Sequence, residues 1–123
     1  VSESTIQSEI LGLSTGPIRL WRTNVGMGWA GKAIRQGSTV VIPNARPFHA
    51  MPEGWPDLTG FVSVTITPDM VGRTIAVFAA PEVKTARGAV RETQKSFREM
   101  FLSMGAIAGI CRSVDDARKL LTP

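Results

Sequence analysis

The chain has 123 residues, with 14 Lys and Arg against 10 Asp and Glu, one His, one Cys and no Tyr. One Cys excludes an internal disulfide, and one Cys with one His falls short of the four nitrogen or sulfur ligands of structural zinc, so a bound metal has to be held by carboxylates. A tyrosine nucleophile is excluded, and a Ser-His or Cys-His device would have to be built around His49 alone.

The length and the 43% hydrophobic content suit one compact domain over residues 1–123, with a core of its own. A net charge of +4 fits an anionic partner or plain solubility. No stretch approaches the roughly 18 apolar residues of a membrane span, and Val1-Ser2-Glu3-Ser4 starts polar and acidic. We therefore expect a soluble intracellular protein with no membrane partner.

Ser4 to Leu13 places Ile6, Ile10 and Leu13 at helical spacing before Thr15-Gly16-Pro17, which predicts a short first helix. Ile18-Arg19-Leu20-Trp21-Arg22 alternates apolar and basic residues and reads as a strand leading into a glycine-rich turn or hairpin at Gly26, Gly28 and Gly31. Val40-Val41-Ile42 is a β-branched run ended by Pro43. From Pro43 to Gly60 the prolines at 43, 47, 52 and 56 predict a long loop without regular structure until just before the next strand. Phe61 to Thr67 alternates at period two, and Arg73 to Lys84 carries the apolar run Ile75 to Ala80, which together predict adjacent antiparallel strands. After Gly88, the positions Val90, Phe97, Met100, Phe101 and Met104 fall on one helical stripe, while Arg91, Gln94, Lys95 and Arg98 make another. Ala106 to Cys111 reads as a buried strand, and Ser113-Val114-Asp115-Asp116 opens a last helix with a capping-box pattern. The order predicts an α/β fold, one mixed sheet flanked by helices.

Gly26-Met27-Gly28-Trp29-Ala30-Gly31 matches the glycine string of a dinucleotide-binding turn. That turn needs a helix opening at its last glycine, and Thr39-Val40-Val41 follows too soon for one, so no nucleotide cofactor is expected. A different constellation carries more chemistry: Pro56-Asp57, then Glu82-Val83-Lys84 at the end of the apolar strand. Residues two apart on a strand share a face, so Glu82 and Lys84 project together. Asp57 and Glu82, from neighbouring strands, are hard oxygen ligands of the kind Mg²⁺ or Mn²⁺ prefers, with the Val83 carbonyl in reach. Lys84 can steady an attacking water or a phosphate's charge, and hydrolysis of a phosphodiester by this set needs no His or Cys. An isolated E-x-K is often a surface ion pair worth 0 to ~1 kcal/mol; an apolar strand leading into it, and a basic helix after it, favour the functional reading here.

Gly54-Trp55-Pro56-Asp57-Leu58-Thr59-Gly60, Val64-Thr65-Ile66-Thr67-Pro68-Asp69-Met70-Val71-Gly72-Arg73, Glu82-Val83-Lys84-Thr85 and Ala106-Ile107-Ala108-Gly109 together resemble the virus-type replication-repair nuclease (VRR-NUC) domain of the PD-(D/E)xK nuclease superfamily, in its short stand-alone phage form. The resemblance spans nearly the whole chain. It implies a restriction-endonuclease-like αβββαβ core, cleavage of DNA dependent on Mg²⁺ or Mn²⁺, and action on branched DNA such as four-way junctions, as in Holliday junction resolvases. It further implies a phage or prophage origin, and hence the cytoplasm of a bacterial host. By position, it makes Asp57 and Glu82 metal ligands, with Val83 adding its carbonyl, and Lys84 the catalytic lysine. It also assigns a first-helix glutamate, matched by Glu9, to the metal, and a glutamine in the helix after the E-x-K strand, matched by Gln94, to the catalytic set. Pro81 departs from the pattern, which expects a residue able to donate to the sheet there.

Arg19, Arg22, Lys32, Arg87, Arg91, Lys95 and Arg98 are the candidate phosphate contacts. Trp21, Trp29 and Trp55 are either core residues or platforms for unpaired bases. Two symmetric cuts at a junction from a chain with one site imply a two-fold homodimer. Two rival readings are a basic nucleic-acid-binding module with no hydrolysis, and a monomeric nuclease that trims flaps or nicks duplexes.

Overall fold

A computed structural model of the chain describes residues 1–122, which form a mixed α/β arrangement of three helices and four strand pairs. Cα packing divides them into two compact units: Val1–Ser14 with Arg19–Gly60, and Thr15–Ile18 with everything from Phe61 onward. No helix among the described residues is long and apolar enough to cross a membrane.

In the first unit, α1 (Glu3–Leu11) starts where Ser2 caps it, the Ser2 hydroxyl accepting from the Thr5 amide at 3.1 Å. The strand β1 (Ile18–Arg22) pairs with β6 (Leu58–Val62), and the unit boundary falls inside both strands. Between them in sequence lie β2 (Met27–Ala30), β3 (Ile34–Gln36), β4 (Thr39–Val41) and β5 (Arg46–His49), with β3 paired to β4 and β2 to β5, both antiparallel. The stretch Pro43–Gly60, expected to be a loop, therefore contains a strand. Pro47 hides it from sequence reading, yet costs the ladder nothing. The Ala50 amide donates to Gly26 O, so the hydrogen-bonded pairs alternate through Gly28↔Phe48, and Trp29↔Pro47 is a pair whose backbone nitrogens point outward.

In the second unit, β7 (Ala79–Val83) runs parallel to β8 (Ile107–Cys111), and the crossover between them is α2 (Glu92–Ser103). The helix packs on both strands, and α3 (Val114–Leu120) packs on β8. Ala108 and Cys111 of β8 are buried, and Phe78 gathers Phe61 and Phe101, with ring centroids 4.9 and 5.3 Å from its own. Ser113 caps α3 as predicted, its hydroxyl accepting from the Asp116 amide at 3.1 Å.

Two features differ from the sequence expectation. The strands form four two-stranded sheets rather than one mixed sheet. The stretches Phe61–Thr67 and Arg73–Lys84 are not adjacent antiparallel strands: strand structure ends at Val62 and resumes at Ala79, with a short 3-10 helix at Pro68–Met70 between, β6 pairs with β1, and β7 with β8. Val64 and Ile66 are 63% and 67% exposed. Alternation of apolar residues selects a face, but it carries no information on which strand lies alongside.

Candidate active site

The E-x-K strand is placed by its parallel partner. Ile107 N donates to Phe78 O and Lys84 N to Cys111 O, so the even-numbered residues of this stretch spend their backbone groups on β8. Pro81 and Val83 consequently turn their backbone nitrogens and carbonyls to the opposite edge. Proline at that edge forfeits no ladder bond, so Pro81 leaves the presentation of Glu82 intact. The same parity leaves the Val83 carbonyl outside the β7–β8 ladder, as a ligand oxygen would have to be.

Side chains follow the same alternation. Glu82 and Lys84 lie on one half-buried face while Pro81 and Val83 are exposed. The Lys84 side chain is only 17% exposed, and its Nζ stands 3.7 Å from Glu82 Oε1. An ammonium so far withdrawn from water needs a partner, and Glu82 supplies it.

Gln94 comes to the same carboxylate from the first turn of α2. Its Oε1 accepts from the Arg91 amide at 3.0 Å, closing the start of the helix, and its Nε2 donates to Glu82 Oε1 at 2.7 Å. Arg91 at the cap position has no acceptor of its own, so Gln94 supplies the side-chain half of this cap. One amide thus fixes the helix start and holds one oxygen of Glu82, which leaves Oε2 without a hydrogen bond among the described residues. Gln94→Leu is expected to cost about 1–2 kcal/mol in urea unfolding, and distinctly less when introduced together with Glu82→Leu. Equal costs in both backgrounds would show that the bond contributes nothing.

The structure brings Glu82, Lys84 and Gln94 together. Asp57 and Glu9 belong to the other unit. Asp57 is exposed, immediately before β6, where its backbone carbonyl accepts from the Thr23 amide at 2.9 Å and the Thr23 and Thr59 hydroxyls meet at 2.6 Å. Glu9 is exposed on α1. Among the described residues no three His, Cys, Asp or Glu side chains form a group that could hold a metal ion. The donors on β7, a carboxylate and a backbone carbonyl, are hard oxygens that fit Mg²⁺ or Mn²⁺ and would be a poor set for a soft metal.

Of the candidate phosphate contacts, Arg22 is engaged within its own unit, donating to Gln7 Oε1 at 2.6 Å and to Ser8 Oγ at 3.3 Å, which ties β1 to α1. Lys95 pairs with the exposed Glu92 at 3.2 Å. Arg19, Lys95 and Arg98 are half-buried, and Lys32, Arg87 and Arg91 are exposed.

Sequence reading missed Arg112. Its guanidinium donates to Thr85 O at 2.7 Å and Gly88 O at 2.9 Å, pinning the turn that leaves Lys84, while its amide donates to Asp116 Oδ2 at 2.8 Å. No local pattern marks this role, because it exists only once β8 lies beside β7. No protein-family model matches the chain, and neither a curated protein nor a solved structure matches it.

Proposed function

We propose that the chain is a divalent-metal-dependent, structure-selective DNA endonuclease of the VRR-NUC type. In this reading it is a Holliday junction resolvase of phage or prophage origin, working as a homodimer in the cytoplasm of a bacterial host. The observation that carries this is the Glu82, Lys84 and Gln94 cluster at the end of β7, where a carboxylate and a withdrawn ammonium share one face and a helix amide aims the carboxylate. Element order supports it too. With the paired strands β2 to β5 set aside as an insertion, α1, β1, β6, β7, α2 and β8 run in the αβββαβ order of a restriction-endonuclease-like core.

Asp57, Glu82 and the Val83 carbonyl, with Glu9, are the residues that would hold Mg²⁺ or Mn²⁺. Such a cation, when bound, acidifies water and offsets the negative charge that builds on the scissile phosphate. Lys84 would set its ammonium beside that phosphate and orient the attacking water, and Gln94, by its hydrogen bond to one oxygen of Glu82, keeps the other oxygen available as a ligand. Four-way junctions need paired cuts and each chain carries one such site, so the assembly is two-fold.

One observation favours a second reading, a basic nucleic-acid-binding module without hydrolysis: the run from Ile10 to Pro52 holds Arg19, Arg22, Lys32, Arg35 and Arg46 and no Asp or Glu. Labelled four-way, flap and linear DNA incubated with the protein in Mg²⁺ or Mn²⁺ separates these readings from each other and from a monomeric flap or nicking nuclease. Asp57→Ala and Lys84→Ala should each abolish cutting with binding largely kept, and chelation should do the same. Unchanged cutting by both variants overturns the mechanism. A monomer in sedimentation that still resolves junctions by paired cuts overturns the dimer.

A further inference from the structure

The pairs β2–β5 and β3–β4 are two separate two-stranded sheets nested in sequence within the first unit, and their linkers meet where Gly31 lies against Ile42 and Ala45, so the chain runs out and back as an interrupted antiparallel ribbon. Its base is closed by Met51 N to Asn24 O at 3.0 Å and Gly26 N to Met51 O at 2.9 Å. Its tip is Gly37-Ser38, where Gly37 takes φ 64°, the positive value that a two-residue hairpin turn asks of its first residue. Phe48 lays its ring over Gly28 on one side. On the other, Met27 and Trp29 are 53% and 55% exposed, and further along Ile34, Val40 and Val41 are exposed as well, the two valines on opposite faces of β4. Two strands alone are marginal in water, and this pair keeps large apolar side chains in solvent, as a surface that meets a partner does.

Charge identifies the partner. No Asp or Glu occurs between Glu9 and Glu53, whereas Arg19, Arg22, Lys32, Arg35 and Arg46 all do. On the ribbon, Lys32, Arg35 and Arg46 enter no ion pair among the described residues. Two copies of so uniformly cationic a ribbon repel each other, while a polyanion complements it. The dimensions agree: strands about 4.8 Å apart make an element that the major groove of B-DNA, about 12 Å wide, admits. The exposed tip Arg35-Gln36-Gly37-Ser38-Thr39 carries the side-chain types that hydrogen-bond base edges, Arg to guanine, Gln to adenine, and Ser or Thr to either.

We propose that the ribbon Asn24 to Met51 is a DNA-binding arm whose tip enters the major groove of duplex DNA. Arg35 and Gln36 reach base edges, and Lys32 and Arg46 neutralise phosphates. The inference rests on the DNA-acting reading above only in taking DNA as the polyanion, and it needs none of the site's chemistry.

The test measures binding of the full chain to fluorescein-labelled duplex and four-way DNA by anisotropy, in chelator, across a KCl series. Lys32→Gln/Arg46→Gln should weaken binding at least ~10-fold and reduce the slope of log affinity against log salt by about 2. Arg35→Ala/Gln36→Ala, confined to the exposed tip, should weaken duplex binding ~10-fold or more while moving the slope by no more than about 1. Circular dichroism and thermal melts establish that each variant is folded. Wild-type affinity and slope in both variants overturn the arm. So does a variant that binds DNA normally but no longer self-associates in sedimentation, because the ribbon is then a contact between copies. Cutting assayed in parallel with Mg²⁺ keeps the two proposals apart. A chain that binds through the ribbon but never cuts ends the nuclease reading and leaves the arm, while a chain that cuts with both variants binding normally does the reverse.

Discussion

Glu82→Gln is expected to reduce cutting of a labelled four-way junction by on the order of 10³-fold or more, equivalent to about 4 kcal/mol of lost transition-state stabilisation. The replacement is isosteric, and its amide oxygen still accepts from Gln94 Nε2, so the contact that now measures 2.7 Å survives. What disappears is the negative charge. Lys84, 17% exposed, keeps its ammonium but loses the carboxylate 3.7 Å away, and the hard anionic donor on β7 is gone. Stability should fall by about 1 kcal/mol and DNA affinity should be nearly unchanged or slightly raised, because one negative charge has been removed from an anion-binding surface. The measurement pairs an end-labelled junction assay in Mg²⁺ and Mn²⁺ with anisotropy in chelator. A variant that cuts at the wild-type rate would remove Glu82 from the mechanism, and with it the reading built on the E-x-K strand.

Gly60→Ala should be among the most destabilising single changes in the chain. A Cβ at this position would lie inside the van der Waals envelope of the Arg19 carbonyl oxygen, with Leu20 Cα 2.9 Å away. The obstacle is backbone on the facing strand β1 rather than a side chain that can swing aside, so β1 and β6 must separate. We expect a loss of about 3 kcal/mol or more and a fall in Tm of roughly 10 °C, read by thermal melts. Asp57 stands just before β6, its carbonyl held by Thr23 N on the β1 side, so the same variant should also lose cutting. A melting temperature within a degree or two of wild type would mean the strands do not approach as closely as the structure places them.

Much of the secondary structure was legible because it rests on local chemistry. Ser113 announces a helix start by being a short acceptor three residues ahead of an acid, and it caps α3 as such residues do, whereas the Ser2 cap of α1 shows only in the structure. The face shared by Glu82 and Lys84 follows from the two-residue repeat of a strand wherever that strand pairs. Other elements were illegible for a common reason. Arg46–His49 carries a proline inside a turn-rich stretch, and only pairing with Met27–Ala30, with Pro47 at an outward-facing position, makes it a strand. Val64 and Ile66 alternate like a strand but have none beside them, so the pattern is not realised.

The same division runs through the candidate site. The identity of its chemistry, oxygen donors and an amine without histidine or thiol, was present in the residue inventory and the E-x-K spacing, since charge and ligand hardness belong to side chains whatever the fold. The Gln94 hydrogen bond to Glu82, the Arg112 clamp on the turn after Lys84 and the release of the Val83 carbonyl from the ladder each depend on β8 lying parallel to β7 beneath α2. That juxtaposition joins segments distant in sequence through the packing of apolar surface. Hydrophobic attraction is non-directional, so a run of residues encodes that it must be covered but not by which partner.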